Sequence, residues 1–382
     1  MIRRSFWIKL LEDALASASI VWLAGVRRVG KTFLCQSLPD IEYFDCELPS
    51  VRGKMEDPER FLEGLSDKRI VLDEIHRLAN PSELLKIAAD HYPGVRIIAT
   101  GSSSLGASRK FRDTLTGRKV DLWLTPMNLR DLSDFGGTDL DARMLRGGLP
   151  PFFLDPSASE RPYQDWLDAF WAKDILELFR LERRASFLRF AELLFAQSGG
   201  IFEATRFSVP CEVSRTTITK YLAVLEATFV VHAIRPYSGL RSTEIIAAPR
   251  VYAFDTGFVC IFRGIARIRP EDRGCLWEHL VLNELHANLQ QRDVMYWRNK
   301  RGLEVDFILP RRREGPIAIE CKLSAEEFDP AGMAMFRRLH SKGRNFVVVA
   351  NTTSSVEKRF GDLAVWFVSL PGLIKRLLIS SR

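Results

Sequence analysis

The segment from Gly25 to Thr32 constrains this chain most, because its glycines, lysine and threonine have a spacing that serves one structural purpose. It reads Gly25-Val26-Arg27-Arg28-Val29-Gly30-Lys31-Thr32. The apolar run Ile20–Ala24 precedes it, and Thr32–Leu38 can open a helix. Glycines between a strand and a helix let backbone N–H groups wrap a phosphate, and the helix N-terminus adds partial positive charge. The sequence therefore predicts an α/β fold with a phosphate-binding loop (P-loop) after its first strand.

The side chains of this loop predict ATP and Mg²⁺ as cofactors. Lys31 is expected to reach the β- and γ-phosphates, and Thr32 is expected to offer its hydroxyl to Mg²⁺. The residues predicted to bind the nucleotide are Gly25, Arg28, Val29, Gly30, Lys31, Thr32, Phe33 and, in a later loop, Ser102.

Two acids follow a second apolar run, Ile70–Leu72. An acid at this strand end orders the magnesium in P-loop proteins, so Asp73 is predicted to share the metal with Thr32. Glu74 is then the predicted general base for the attacking water. The alternative is a pair of acids that simply face solvent.

Two further polar positions are weaker candidates. The strand Ile97–Thr100 runs into a Gly/Ser segment, where Ser102 could touch the γ-phosphate or belong to an ordinary loop. Arg118 follows Gly117 and could contact phosphate in its own subunit or in a neighbouring one, which leaves a homo-oligomer open.

The rhythm of the first 130 residues predicts how these segments are arranged. Short apolar runs alternate with amphipathic stretches, as in a parallel sheet covered on both faces. The predicted strands are Ile20–Ala24, Ile41–Asp45, Arg69–Asp73, Val95–Thr100 and Val120–Leu124.

The middle of the chain has the rhythm of a helix-turn-helix. Within Ser208–Leu222, Ser214 can cap the second helix, and Ile218 and Leu222 would pack inward. Arg215 and Lys220 would face out, as residues that contact DNA do. A packing or interface module is the alternative.

A second set of acids lies near the C-terminus. Glu278 lies on a predicted helix, and Asp306 and Glu320 lie on two predicted strands of a hairpin, with Lys322 two residues after Glu320. This arrangement resembles the core of the PD-(D/E)XK nucleases. Asp306 and Glu320 would hold Mg²⁺, and Lys322 would orient and help to deprotonate the attacking water. A half-exposed hairpin with alternating charges explains the same residues without chemistry.

Several motifs in a fixed order resemble those of prokaryotic AAA-type ATPases that carry a C-terminal domain of unknown function related to restriction-endonuclease-like folds. The resemblance covers nearly the whole chain. It implies an AAA-like core and a winged helix in the middle, and it makes Arg118 part of a recurring Gly-Arg element. The motifs are the P-loop, Leu72–Ile75, Thr100–Ser104, Gly117-Arg118, Gly147–Pro150, Phe254–Gly257, Leu303–Phe307 and Ile319–Lys322.

Composition sets outer limits on these interpretations. The net charge of +7 suits a protein that meets phosphate or nucleic acid. Six cysteines without a Cys-x-x-Cys pair argue against a zinc site and a disulfide scaffold. Apolar runs too short to span a bilayer predict a cytoplasmic protein without a membrane role.

Together these features predict the fold class α/β, with a parallel-sheet P-loop NTPase core, a winged-helix-like middle and an α/β restriction-endonuclease-like C-terminal domain. The expected divisions are a core at 1–135, a helical lid or linker at 136–200, the winged helix at 201–265 and the final domain at 266–382. The predicted function is ATP hydrolysis coupled to a module directed at nucleic acid, with DNA favoured and cleavage left open. The alternative is an ATP-dependent regulatory switch whose last domain binds a protein partner without cutting DNA.

Overall fold

The computed structural model describes residues 2–101, 115, 117–155, 159–179, 181, 183–239, 248–311 and 314–379. The chain divides into two compact units. The N-terminal unit takes residues 1–139, 148–188 and 220–230, and the C-terminal unit takes residues 140–147, 189–219 and 231–382.

The N-terminal unit is built on a sheet whose five described strands are all parallel, in the order β2-β3-β4-β1-β5. The central strands are almost fully buried, as expected when helices cover both faces. This confirms the predicted α/β core. The strands are β1 Ile20–Ala24, β2 Glu42–Asp45, β3 Arg69–Asp73, β4 Arg96–Gly101 and β5 Lys119–Trp123.

The helices of this unit connect and flank the sheet. A single π-helical turn, Trp171–Ile175, continues α9 into α10, and a 3₁₀ turn, Ile75–Arg77, follows β3. The helices are α1 Ser5–Ser17, α2 Lys31–Gln36, α3 Pro49–Lys54, α4 Pro58–Glu63, α5 Pro81–His91, α6 Leu129–Asp134, α8 Pro150–Phe153, α9 Arg161–Phe170 and α10 Leu176–Phe179.

The strand register brings several polar residues to one edge of this sheet. Ile20 of β1 pairs with Ile97 of β4, and Ala24 pairs with Gly101, so the carboxyl ends of the two strands align. Ligands of open α/β sheets bind outside the carboxyl ends of the strands. The P-loop after β1 and the acids after β3 therefore share the edge at which a ligand is expected.

The C-terminal unit contains a mixed sheet whose nine described strands run in the order β13-β14-β12-β11-β10-β9-β7-β8-β6. β10 and β11 form the predicted antiparallel hairpin. The strands are β6 Gly200–Ile201, β7 Val231–Pro236, β8 Arg250–Ala253, β9 Met295–Arg298, β10 Glu304–Leu309, β11 Ile317–Lys322, β12 Asn345–Val349, β13 Val356–Phe360 and β14 Leu363–Val368.

Helices pack against this second sheet, and the residues of two helices are divided between the two units. Met333 and Phe336 of α16 belong to the largely apolar core, where Phe336 packs its ring edge against Trp297 at 5.6 Å. The helices are α7 Leu140–Arg146, α11 Arg184–Ala196, α12 Ala204–Ser208, α13 Arg215–Ala227, α14 Thr256–Phe262, α15 Pro270–Leu289, α16 Ala331–Leu339 and α17 Leu370–Ile379. Among the helices that the structure describes, none has the length and apolar character needed to cross a membrane.

The predicted helix-turn-helix corresponds to α12 and α13. Ser214 caps α13 by accepting the N–H of Thr217 at 3.1 Å, Ile218 is buried, and Arg215 is exposed, as predicted. The strands that follow belong to the large sheet of the C-terminal unit rather than to a separate small wing. β7 pairs with β8 and also with β9, so the sheet is continuous across the boundary predicted at residues 265 and 266.

Two segments of the family resemblance pack against each other in the C-terminal unit. Gly147 ends α7 with φ of +81°, and a Cβ there would lie 1.9 Å from Oδ1 of Asp255. The carboxylate of Asp255 caps α14 by accepting the N–H of Gly257 at 2.9 Å. A side chain at position 147 would therefore disrupt the start of α14.

We expect Gly147→Ala to lower the free energy of unfolding by about 2 kcal/mol or more, because positive φ and the Asp255 contact both oppose a methyl group. Urea unfolding followed by circular dichroism measures this. Gly274→Ala is the matched control, since a Cβ there has nothing within 4 Å. Equal stability of the two variants would contradict the interpretation.

Candidate active site

The P-loop has the backbone geometry that its sequence predicts. Gly30 has φ of +101° and leads directly into α2, and Arg28 has φ of +64°. Gly25 passes so close to Leu124 that a Cβ would lie 2.6 Å from the Leu124 carbonyl oxygen. The two glycines therefore serve different needs, left-handed backbone at Gly30 and close approach at Gly25.

The Lys31 side chain lies inside this loop. Its ammonium donates to the carbonyl oxygen of Gly25 at 2.8 Å and to that of Val26 at 3.4 Å, and the residue is only 6% exposed. The loop thus holds a cation at its centre, where a phosphate would be bound.

The carboxylate of Asp73 is the meeting point of three hydroxyls. Thr32 donates to Oδ2 at 2.7 Å, Tyr43 donates to the same oxygen, and Thr100 donates to Oδ1. Thr32 and Asp73 therefore present oxygen atoms side by side, which is the donor set that Mg²⁺ takes when phosphates and waters complete its shell. These two residues fit the predicted metal. Tyr43 and Thr100 were missed in the sequence, although Thr100 ends a strand already singled out.

Glu74 adopts an unusual backbone conformation at the end of β3. Its φ is +51°, its N–H donates to Thr100 Oγ1 at 3.0 Å, and its carboxylate lies 3.2 Å from Nδ1 of His76. Left-handed backbone is costly for a non-glycine residue and is concentrated at functional sites. Burial raises the pKa of the Glu74 carboxyl, which Lys31 partly offsets.

A cavity of about 570 Å³ opens beside this cluster. Its lining combines polar residues of the P-loop, Glu74 and Asp174 with a set of apolar residues. Phe33, which is 64% exposed, is one of the apolar residues. The apolar lining consists of Ile2, Phe33, Leu34, Phe135, Pro150, Pro151 and Leu154.

The P-loop is supported by a buried arginine that the sequence did not single out. Arg4 binds both carboxylate oxygens of Asp131, at 2.9 and 2.6 Å, and donates to the carbonyl oxygen of Val29 at 2.8 Å. Trp7 donates to the same carboxylate at 2.9 Å. Val29, predicted to bind nucleotide, is fully buried and contributes its backbone to this support.

Arg27 of the P-loop contacts the helical segment that follows the core. Its Nε lies 3.3 Å from Oδ2 of Asp174 in the π-helical turn, and its carbonyl oxygen accepts the indole N–H of Trp166 at 3.0 Å. Neither Trp166 nor Asp174 belongs to a recognisable motif, so only the three-dimensional structure reveals them.

Arg118, for which the sequence left contact with phosphate in its own subunit or in a neighbouring one open, lies away from the P-loop of its own chain. Arg118 precedes β5, whose first residue pairs with Ile20 at the start of β1, so it lies at the edge opposite the P-loop. Five residues of strand separate these edges by roughly 16 Å. Its guanidinium binds Asp90 of α5 at 3.0 Å instead. Ser102, the other weaker candidate, lies outside the described residues.

The predicted C-terminal residues come together on β10 and β11. Lys322 Nζ lies 2.9 Å from Oε2 of Glu320, and Asp306 accepts the N–H of Cys321 at 2.8 Å. Asp306 is close enough to Glu320 for its charge to raise the pKa of the Glu320 carboxyl. The hairpin therefore gathers the strand acids and the lysine as predicted.

Glu278 approaches the strand acids from α15 and contacts Tyr252. It accepts the hydroxyl of Tyr252 at 2.8 Å, and burial together with the Asp306 charge raises its pKa to about 8. Burial also raises the pKa of Glu320, with Asp306 adding to the rise and Lys322 opposing it. Arg250 lies 2.6 Å from Glu304 and 4.0 Å from Asp306. In the part of the chain that the structure describes, no three side chains of His, Cys, Asp or Glu are grouped to hold a metal ion.

Three known protein-domain families match successive parts of the chain. An AAA domain matches residues 17–133, a domain of unknown function (DUF8612) matches residues 137–269, and another (DUF4143) matches residues 273–371. Uncharacterized proteins of Mycobacterium tuberculosis and Mycobacterium bovis are each 30% identical over 308 residues, which cover 78% of this chain and 69% of each relative.

The chain belongs to the same family as these mycobacterial proteins. An uncharacterized protein of Methanocaldococcus jannaschii is 23% identical over 346 residues, covering 81% of this chain and 75% of that one. A Walker-type ATPase of Pyrococcus abyssi resembles the structure with a TM-score of 0.44 and 15% identity, covering 69% of this chain and 96% of that one. The AAA match contains the P-loop, Asp73 and Glu74, so the first part of the chain is an AAA-type, ATPase-like domain.

We expect Gly25→Ala to weaken nucleotide binding by about tenfold or more, because the added methyl group must displace the backbone at Leu124 and distort the loop. Titration with a fluorescent ATP analogue measures the dissociation constant. Gly53→Ala is the control, since a Cβ at that exposed position of α3 has nothing within 4 Å. Unchanged affinity in Gly25→Ala would show that this close approach is unimportant for the site.

Proposed function

We propose that the protein binds ATP with Mg²⁺ at this cavity and hydrolyses it. The observation that carries the proposal is the 2.7 Å hydrogen bond from Thr32 to Asp73, formed beside the buried ammonium of Lys31. Three chemically different groups thereby converge where a triphosphate and its metal would meet the P-loop.

Each polar residue has a defined role in this proposal. Lys31 binds the β- and γ-phosphates, and Thr32 and Asp73 hold Mg²⁺, which supplies positive charge to the phosphates when bound. Glu74 accepts a proton from water as the water oxygen bonds to the γ-phosphorus. The bond from that phosphorus to the β–γ bridging oxygen breaks, and ADP and inorganic phosphate leave.

The apolar lining of the cavity favours a nucleotide, which carries a base, as the ligand rather than an inorganic polyphosphate. Phe33, Pro150 and Leu154 offer apolar surface within the same 570 Å³ space as the P-loop. Binding sites are typically lined by apolar residues with a few placed polar groups. We therefore assign the nucleobase to the apolar surface of these three residues.

We expect Lys31→Ala to weaken ATP binding by about 100-fold or more, because it removes charge-assisted hydrogen bonds to the phosphates.

Glu74→Gln should keep ATP affinity but lower kcat by about 100-fold or more, because the amide cannot accept the proton. Calorimetry measures binding, and phosphate release measures turnover.

Lys86→Ala, on the exposed face of α5, is the control for charge removal and should match the wild type. The proposal fails if wild-type protein neither retains nor hydrolyses a nucleoside triphosphate. Turnover with GTP or CTP at the rate seen with ATP would correct the assignment of the base alone.

We further propose that ATP turnover serves a nucleic-acid-directed module in the C-terminal unit. The support is the cluster of Asp306, Glu320 and Lys322 on adjacent strands, where two carboxylates could share Mg²⁺ with phosphate and water. The basic side chains Arg250 and Arg298 lie on the same part of the sheet, beside Glu304. A phosphodiester would meet both metal ligands and positive charge there.

We expect Asp306→Asn to abolish cleavage of DNA with Mg²⁺ or Mn²⁺ while ATP turnover survives, because the metal loses a charged ligand. Gel assays with single-stranded, duplex and branched DNA measure cleavage. Asp362→Asn, at an exposed position, is the control. If the wild-type protein cuts none of these substrates, the module is not a nuclease.

One observation favours a second function, an ATP-dependent regulatory switch whose C-terminal unit binds a protein partner. The Glu320 carboxylate is already paired with Lys322 at 2.9 Å, and burial raises the pKa of Glu278, which disfavours the ionised carboxylate that a metal ion needs. Under this alternative, ATP changes the oligomeric state and DNA leaves turnover unchanged. Under the first, DNA raises turnover, and its binding weakens steeply with salt.

A further inference from the structure

We propose that Arg27 is a catalytic residue that contacts the γ-phosphate within its own chain, and that Asp174 positions it for that contact. This inference rests on the proposed ATPase function. It gives a role to two residues that have none so far. The P-loop pattern accepts any residue at the position of Arg27, and Asp174 lies beyond residue 133, where the AAA match ends.

Arg27 is placed where charge develops during hydrolysis. It lies on the P-loop and lines the same cavity as Lys31 and Glu74. The charge of Glu74 is influenced by both members of the pair, because Asp174 helps to raise the Glu74 pKa and Arg27 helps to lower it, each less than burial does. Arg27 and Asp174 are therefore close to the predicted general base.

A cation near the γ-phosphate can stabilise the negative charge that develops there during hydrolysis. Arg118 lies too far from the P-loop to do this within its own subunit. Phosphoryl transfer is accelerated chiefly by positive charge aimed at the oxygens of the moving phosphate. Arg118 lies at the opposite edge of the sheet, on Asp90. Arg27 has a planar, permanently charged fork and lies at the correct edge.

Asp174 and Trp166 hold Arg27 at two points. The carboxylate of Asp174, 6% exposed, binds the guanidinium, and the indole of Trp166 binds the backbone carbonyl. Trp166 is itself fully buried and stacked on Phe170 at 5.2 Å. Preorganisation of this kind limits where the guanidinium can go when a phosphate competes for it.

The π-helical turn explains why an acid occupies this place. In a regular α-helix, about seven residues complete two turns, so Lys173 would share the face of Trp166. The wider π turn takes in an extra residue, and such turns are frequent at functional sites. Asp174 is accordingly buried in the cavity wall, and Lys173 is exposed.

The test is a double-mutant cycle on ATP turnover with Arg27→Gln, Asp174→Asn and the double variant. Arg27→Gln should lower kcat by about 100-fold with a much smaller change in KM, because it removes charge that acts on the transition state. Asp174→Asn should lower kcat by about tenfold, because the arginine remains but is less well placed. The double variant should be as slow as Arg27→Gln alone.

A purely structural pair gives the opposite result. The double variant leaves no buried charge unpaired, so it would recover wild-type kcat if the pair served stability alone. Arg27→Lys, which keeps charge but loses the fork, should recover part of kcat. Asp168→Asn is the matched control, since Asp168 pairs with Arg184 on the exposed surface of the same helical segment.

The inference is overturned if Arg27→Gln or the double variant turns over ATP within threefold of the wild type, or if Arg27→Gln changes KM and leaves kcat intact. Thermal unfolding of each variant identifies any that do not fold, and Arg27→Lys then replaces Arg27→Gln as the deciding variant. Absence of turnover in the wild type would instead refute the proposed ATPase function, so the two failures are distinguishable.

Discussion

The hydrogen bonds accepted by the carboxylate of Asp73 are the interactions on which the N-terminal unit depends. They tie β3 to α2 through Thr32, to β2 through Tyr43 and to β4 through Thr100. Charge-assisted hydrogen bonds are stronger than neutral ones, and here they hold three elements around one anion. A hydroxyl hydrogen turns about its C–O bond at little cost, so a cation can replace these donors without moving the backbone. The oxygen atoms that the proposed Mg²⁺ would take as ligands are therefore held in place by contacts within the fold.

Arg4 extends the same logic to the far side of the P-loop. Its guanidinium connects the carboxylate of Asp131 on α6 to the carbonyl oxygen of Val29, so the residue before α1 holds the loop to α6. Trp166 holds the loop from another direction. A glycine-rich loop is flexible by itself, and these buried donors give it one conformation.

Sequence patterns predicted the elements whose chemistry is local. The P-loop, the end of β3 and the β10–β11 hairpin were each legible because spacing and alternation specify them within about ten residues. Other strands leave little signal in the sequence: Met295–Arg298 is short and Val356–Phe360 is largely exposed, so neither shows an apolar alternation to detect. The subunit in which Arg118 could act was left open because its distance from the P-loop depends on strand direction, which no single segment reveals. Arg4, Tyr43 and Asp174 became visible only when distant segments were brought together.

The π-helical turn gives the helical segment a property that sequence comparison alone would overlook. The winding of the helix between Trp166 and Asp174 decides which of two neighbouring side chains of opposite charge lies beside Arg27. If the same residues formed a regular α-helix, Lys173 would stand seven positions after Trp166 and share its face, whereas the π turn places Asp174 there. The sign of the charge beside the P-loop therefore depends on the local form of one helix as well as on the residues that it contains.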